Sequence, residues 1–153
     1  MTGGTLQMAE AATRGAGSEG SVQVLCLPAR EAQPRHVLAA DGYVFATPEN
    51  LGSMSGLLKD FFDRCYYAAL ERIEGRPYAS LICAGSDGSG AARQIERIAT
   101  GWRLKAAAPP LIVCTHAQTS EAILRPKQIG EAELQRCYDL GAALAAGMAL
   151  GVF

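Results

Sequence analysis

The sequence has no surplus of charge of either sign. Lys and Arg number 14 against 15 Asp and Glu, a formal net charge of -1. Nucleic acids and anionic membranes are bound by a positive excess that neutralises phosphates, so this balance argues against both. Nor is there the strong acidity of a protein that docks electrostatically to basic partners. Its five cysteines, Cys26, Cys65, Cys83, Cys114 and Cys137, are odd in number and never fall at C-x-x-C spacing, which leaves no zinc ribbon and no disulfide framework. Most lie in apolar runs (VLC, LIC, LIVC), the setting of small buried thiols in a reducing, cytoplasmic compartment. No His, Cys or carboxylate set has metal-ligand spacing, so no metal is expected. A basic stretch followed by an apolar one is missing at the N-terminus, which gives no sign of a signal peptide. Residues 138–153 are apolar but interrupted by Asp139 and glycines, and fall short of the roughly 20 residues of a membrane span. They read as a packed terminal helix. There is no G-x-S-x-G elbow with an acid–histidine partner, which speaks against a hydrolase.

What is present is an ordinary globular composition of 153 residues, 49% hydrophobic and 19% charged. A chain of that size fits one domain and buries about 68–70% of its unfolded surface. There is no internal repeat and no low-complexity linker. Residues 42–47 (GYVFAT), 79–85 (ASLICAG) and 111–115 (LIVCT) are continuous apolar runs, as in parallel strands covered on both faces. Residues 21–27 (SVQVLCL) alternate instead, with Val22, Val24 and Cys26 pointing one way, and are expected as a half-exposed edge strand. Helical periodicity lies between these runs. Met54, Leu57, Leu58, Phe61, Phe62, Cys65, Tyr66 and Ala69 make one apolar face, with Ser53 as the expected N-cap and Gly75 and Pro77 as the stop. Further helices are expected over 5–15, 89–100 and 130–147, with 102–107 and 117–128 as loops or short irregular pieces. Strands alternating with helices predict an α/β fold with a parallel sheet. Ligands of such sheets bind beyond the C-terminal ends of the strands.

Three loops are placed to carry chemistry. Thr2, Gly3, Gly4 and Thr5 open a helix, where free N–H groups, two glycines and two hydroxyls form a phosphate cradle. The loop has no Lys, so it is neither G-x-x-x-x-G-K-[ST] nor G-x-G-x-x-G. Residues 47–56 join a buried strand to the strongest helix and include Pro48, Glu49, Asn50, Leu51, Gly52, Ser53 and Met54. Residues 84–90 do the same one strand later, with Gly85, Ser86, Asp87, Gly88 and Ser89. Glycines in these loops let a flat ring approach the main chain. A Gly-rich turn in which Asp87 favours the turn and Ser89 caps the helix is the plainer reading of the last loop.

The stretch ADGYVFATPENLGSMSGLLKDFFDR, residues 40–64, resembles the second flavin loop and following helix of the flavodoxin-like NAD(P)H-dependent FMN reductase and quinone reductase group. TGGT at residues 2–5 resembles that family's phosphate loop, and AGSDGSGA its third loop. All three match in order and spacing, and the resemblance covers nearly the whole chain. It implies a flavodoxin-like three-layer sandwich of strand order 2-1-3-4-5. It also implies FMN held by Thr2–Thr5, Pro48–Met54 and Gly85–Ser89, with NAD(P)H as co-substrate, a quinone or similar small molecule as acceptor and a dimer or tetramer as assembly. In the family an apolar strand runs straight into the phosphate loop. Here that loop begins at Met1-Thr2, so the sheet is expected to have an open central position, and the single flavin-binding domain (1–153) is expected to be N-terminally incomplete.

His116 falls at the same sheet end as the three loops, and His36 lies in a polar stretch expected in solvent. Trp102 is expected to pack at the opposite end, and Lys59 and Arg64 to sit on a polar helix face. Flavodoxin carriers, as the resemblance implies, sandwich the flavin between loop aromatics and are strongly acidic. Neither ring loop here contains Phe, Tyr or Trp, so one face of the ring is expected to be open to a nicotinamide or quinone. No obligatory acid or base side chain is expected, because the flavin supplies the chemistry. A flavin-binding electron carrier, and a flavodoxin-like module that no longer binds FMN, are the alternative readings.

Overall fold

The computed structural model describes residues 2–153; Met1, the first residue of the expected approach to the phosphate loop, lies outside them. The elements in chain order are α1 (Gly4–Gly17), α2 (Pro34–Ala39), β1 (Tyr43–Asn50), β2 (Ser53–Met54), α3 (Gly56–Ala69), β3 (Pro77–Ala84), α4 (Ser89–Gly101), β4 (Lys105–Ala106), β5 (Leu111–Cys114), α5 (Ser120–Leu124) and α6 (Glu131–Ala149). β3 is the middle of the sheet and is buried at all eight residues. β1 lies parallel to it from Tyr43↔Tyr78 to Pro48↔Cys83. Its other edge is shared by two short parallel strands. β4 pairs with Pro77 and Tyr78, and β5 with Leu81 to Ala84. Between these strands Pro109 and Pro110 have no N–H to give a ladder, and the chain leaves the sheet.

Side chains sort by the period of two. Tyr43, Phe45, Tyr78, Ile82 and Ala84 join α3 and α4 in one core, with Phe61, Phe62, Ile95 and Trp102. Leu81, Cys83, Leu111 and Val113 join α1 and α6 in the other, with Met8, Ala11, Ala12 and Cys137. The result is the expected α/β three-layer sandwich. Trp102 packs as expected, edge-on to Phe62 with centroids 5.2 Å apart. On α3, Lys59 pairs with Asp63 and Arg64 with Asp60. Arg64 also donates to the carbonyls of Ala29 and Ala32, both at 2.9 Å, and so ties the chain before α2 to this helix.

Three expectations need correction. Residues 21–27 form no strand, and Val24, Leu25 and Cys26 are exposed. Alternation marks an amphipathic extended chain, but a strand exists only where a neighbour completes its ladder. Among the described residues none does, and the edge of β1 along Tyr43 to Pro48 that faces away from β3 also lacks a strand. Of the implied order, only the part formed by β1, β3 and the β4/β5 edge is therefore seen. Second, the segments 102–107 and 117–128, expected as loops or short irregular pieces, contain two short regular elements, β4 and α5. Third, His36 is half-buried rather than free in solvent. Its Nδ1 accepts the Gln33 N–H at 3.0 Å and caps α2.

α1 and α6 cross through glycines. A Cβ on Gly15 would sit 1.9 Å from the Tyr138 carbonyl oxygen, and one on Gly141 would sit 2.0 Å from that of Ala12. Alanine normally stabilises a helix interior by about 1 kcal/mol over glycine. At Gly141 the sign reverses, because the added methyl forces the helices apart. G141A is expected to lose about 1–3 kcal/mol in urea unfolding, whereas G17A, with open space at its Cβ, is expected to be neutral or stabilising. Burial also pushes up the thiols of Cys65, Cys83 and Cys137, the last to about 11. A disulfide reagent at pH 8 is therefore expected to label exposed Cys26 at once and these three only on unfolding. Labelling of Cys137 in the native state would contradict the packing of α6.

Candidate functional site at the C-terminal end of the sheet

The first loop is built around Gly3 and Gly4. Gly3 caps α1 in the left-handed region at φ 84, and the first helical bond runs from Gln7 N to Gly3 O. The N–H groups of Gly4, Thr5 and Leu6 thus have no partner within the helix, and no acidic residue stands in the first turn. Gly4 is buried against the end of β3, where a Cβ would fall 2.7 Å from Cys83 Sγ. That thiol is buried, and burial holds its pKa up. Cys83 stays neutral, so nothing beneath the loop opposes an anion.

Two residues outside the expected set fix this loop. Gln7 Nε2 donates to Lys127 O at 2.7 Å and to Gly3 O at 3.2 Å, while its Oε1 accepts from Ile129 N at 3.1 Å. Lys127 N donates to Thr2 O at 2.8 Å. Its ammonium closes the C-terminal end of α5 by donating to the carbonyls of Ala122, Ile123 and Arg125. A lone Gln on a helix and a Lys in a polar stretch carry no pattern that marks this role.

The second loop is a hairpin rather than an irregular loop. β1 continues through Pro48, Glu49 and Asn50, turns at Leu51 and Gly52, and returns as β2. Leu51 and Gly52 both have positive φ, 52 and 70, which a two-residue hairpin turn of the primed type requires. For Leu this costs about 1 kcal/mol. Thr47, fully buried, accepts the Ser55 N–H at 2.9 Å through Oγ1 and fixes the return. The α3 cap is Ser55, whose Oγ accepts from Leu58 N, and not Ser53. Ser53 instead donates to Gln94, and the Met54 side chain is buried in the core.

The third loop follows β3 directly. Gly88, at φ 86, caps α4, so Ser89 is its first helical residue and donates to the Asp87 carboxylate. A Cβ on Gly88 would come 2.5 Å from Ile112 Cγ2, so this glycine is needed for packing. Gly85 is not crowded: its Cβ position meets only the Ala117 carbonyl, at 3.5 Å. Glu49 bridges the two ring loops, accepting from Gly88 N and Ala91 N, both at 2.9 Å. Asn50, Leu51 and Gly52 on one loop, and Ser86 and Asp87 on the other, remain exposed.

The set thus unites a helix N-terminus rich in free donors with two exposed, aromatic-free tips at one end of a parallel sheet. Its residues fit FMN. Thr2 to Thr5 would offer main-chain N–H groups and hydroxyls to a phosphate, and the open Cβ positions at Gly52 and Gly85 would leave room for a ring edge. His116 stands at this end too, exposed at φ 53. Among the described residues no His, Cys, Asp and Glu group has the arrangement of a metal site. A separate cavity of about 330 Å³ lies along β3 at Tyr78, Ser80, Glu96 and Pro110. It is at the level of the strand beginnings and middle, away from these loops.

Comparison with known proteins agrees with this fold. Over 89 residues the chain is 34% identical to a flavodoxin of Aquifex aeolicus, a match covering 58% of this chain and about half (48%) of that protein. Among solved structures, a flavodoxin from the domain Archaea superposes with a TM-score of 0.81 at 19% identity, covering 97% of this chain and 93% of the other. A WrbA-like flavodoxin protein from Agrobacterium tumefaciens gives 0.73 at 17% identity, with 98% and 92% covered. The fold is therefore flavodoxin-like. The model of the NADPH-dependent FMN reductase family matches residues 6–119, from the first turn of α1 through all three sheet positions to the loop after β5, and the chain belongs to that family.

Proposed function

We propose that the protein is an FMN-dependent oxidoreductase that takes electrons from NAD(P)H and passes them to a quinone or a similar small acceptor. The observation that carries this reading is the pair of exposed loop tips without an aromatic residue. Bound there, FMN would supply hydride acceptance and release. The chain supplies binding and orientation: main-chain donors of Thr2 to Thr5 for the phosphate, and the Gly52 and Gly85 backbone for the ring. With no aromatic lid on the loops, a nicotinamide can stack within the roughly 3–3.5 Å that transfer needs. The net charge of -1 supports the same reading, since a docking carrier gains from a strong field. An electron carrier is the second reading, favoured by the identity with the Aquifex aeolicus flavodoxin. A homo-oligomer is part of the proposal.

Anaerobic stopped-flow mixing of the FMN-loaded protein with NADH and NADPH tests the choice. Bleaching of bound flavin faster than free FMN by either nucleotide is expected; bleaching no faster than free FMN selects the carrier. A protein that takes up no flavin is the module. Ring placement has its own test. G52V puts a branched side chain into open space at φ 70, where such a residue is strained by about 1–2 kcal/mol. It is expected to weaken FMN binding at least about tenfold, the equivalent of about 1.4 kcal/mol. Unchanged affinity would move the ring elsewhere.

A further inference from the structure

Glu49 belongs to the expected flavin loop, yet its carboxylate is directed into the protein. Oε1 accepts from Gly88 N and Oε2 from Ala91 N, each at 2.9 Å. These donors open α4, whose own N-cap, Gly88, has no side chain to satisfy them. The carboxylate therefore caps α4 from another strand, where the helix dipole and two charge-assisted bonds favour a negative group. Two further contacts join the same loops. Gln94 Oε1 accepts from Ser53 Oγ at 2.8 Å and from Met54 N at 3.1 Å. A Cβ on Gly90 would lie 2.1 Å from the Gly52 carbonyl oxygen, so the hairpin and α4 touch backbone to backbone.

We propose that Glu49 is a positioning residue: its carboxylate locks the β1–β2 hairpin to the loop before α4 and so holds both walls of the ring site preformed, without touching the ring. Both of its oxygens are engaged at the helix, which leaves the hairpin's exposed turn at Leu51 and Gly52 as the part that meets a ligand. Without the clamp the loop at Gly85 to Gly88 loses its direct hydrogen bonds to the hairpin and is held less firmly against it, and ligand binding must then order it. The proposal rests on the FMN reading of the site.

Amide hydrogen exchange by NMR on the flavin-free protein, combined with FMN titration, tests it in the wild type, E49A and E49Q. In E49A the Gly88 and Ala91 amides are expected to exchange at least about tenfold faster, while Ile95 deeper in α4 is unchanged. FMN affinity is expected to fall about ten- to a hundredfold, the span of losing hydrogen bonds to a charged group. The absorbance spectrum of saturated protein is expected to match the wild type, because the ring's surroundings are the same. E49Q keeps one carbonyl acceptor and is expected to recover part of both losses; should E49A not fold, E49Q alone decides, by faster exchange at whichever amide its nitrogen faces. Unchanged exchange at both amides overturns the clamp. Faster exchange with unchanged FMN affinity reduces Glu49 to a structural cap and overturns the positioning role. A shifted flavin spectrum with unchanged exchange assigns it to direct contact instead. If the wild type binds no FMN, the oxidoreductase reading fails, while the exchange data still decide whether Glu49 locks the loops.

Discussion

Every residue of β3 from Pro77 to Ala84 is buried, so each of its main-chain groups must find a partner in a strand beside it. β1 supplies one ladder, and β4 and β5 share the other. Its side chains, alternating between faces, need a helix layer above and below, which α3 and α4 provide on one side and α1 and α6 on the other. Because the strands are parallel, their C-terminal ends lie together. The hairpin after β1, the loop after β3 and the start of α1 at Cys83 are thereby gathered at one end of the molecule. The site is a consequence of the sheet's direction and of one strand's burial.

Much of this was readable in the residues, and the failures have a common cause. The apolar runs over 42–47, 79–85 and 111–115 all became strands, but only β3 is covered on both faces; β1, with Val44 exposed, and β5 alternate between buried and more open positions, which hydrophobic content alone does not report. The segment at 21–27 failed because its alternation speaks only of side chains, whereas a strand depends on a neighbouring backbone. The residues at 47–56 mark a loop but not its form. Proline at 48 and glycine at 52 suggest an irregular turn, yet β1 runs on to Asn50 and pairs with β2. The helix caps shifted for a similar reason. Ser53 and Ser89 are good caps by type, but Ser53 is held by Gln94, 41 residues away, and Ser89 is bonded to Asp87. Gln7, Gln94 and Lys127 act through contacts distant in sequence and have no local pattern to betray them.

The glycines of the site divide by what surrounds them. Gly4, Gly88 and Gly90 have no room for a side chain: sulfur, isoleucine or backbone occupies the place where Cβ would be. They let the phosphate loop, β5 and the hairpin close in on β3 and α4. Gly52 has nothing within 4 Å of that place, and Gly85 only a carbonyl oxygen at 3.5 Å. The first group builds the walls and the second leaves the space between them. A motif read as glycine-rich therefore contains two different demands, close packing and open approach, and only the second bears directly on a ligand.

Charge is distributed by the same logic. The carboxylate of Glu49 is taken up by the first turn of α4, whereas that of Asp87 stays exposed beside Ser89. The ammonium nearest the phosphate loop, Lys127, is taken up by the end of α5. Each ion sits at the helix end whose dipole favours it. The charges of Glu49 and Lys127 are thus spent on holding loops, and the loops leave main chain free for a ligand: the donors of Gly4, Thr5 and Leu6 and the backbone of Gly52 and Gly85. Such donors are fixed in direction by the fold and need no rearrangement when a ligand arrives. A cofactor that carries its own reactivity asks for this kind of cavity, one that holds and orients while leaving a ring face uncovered.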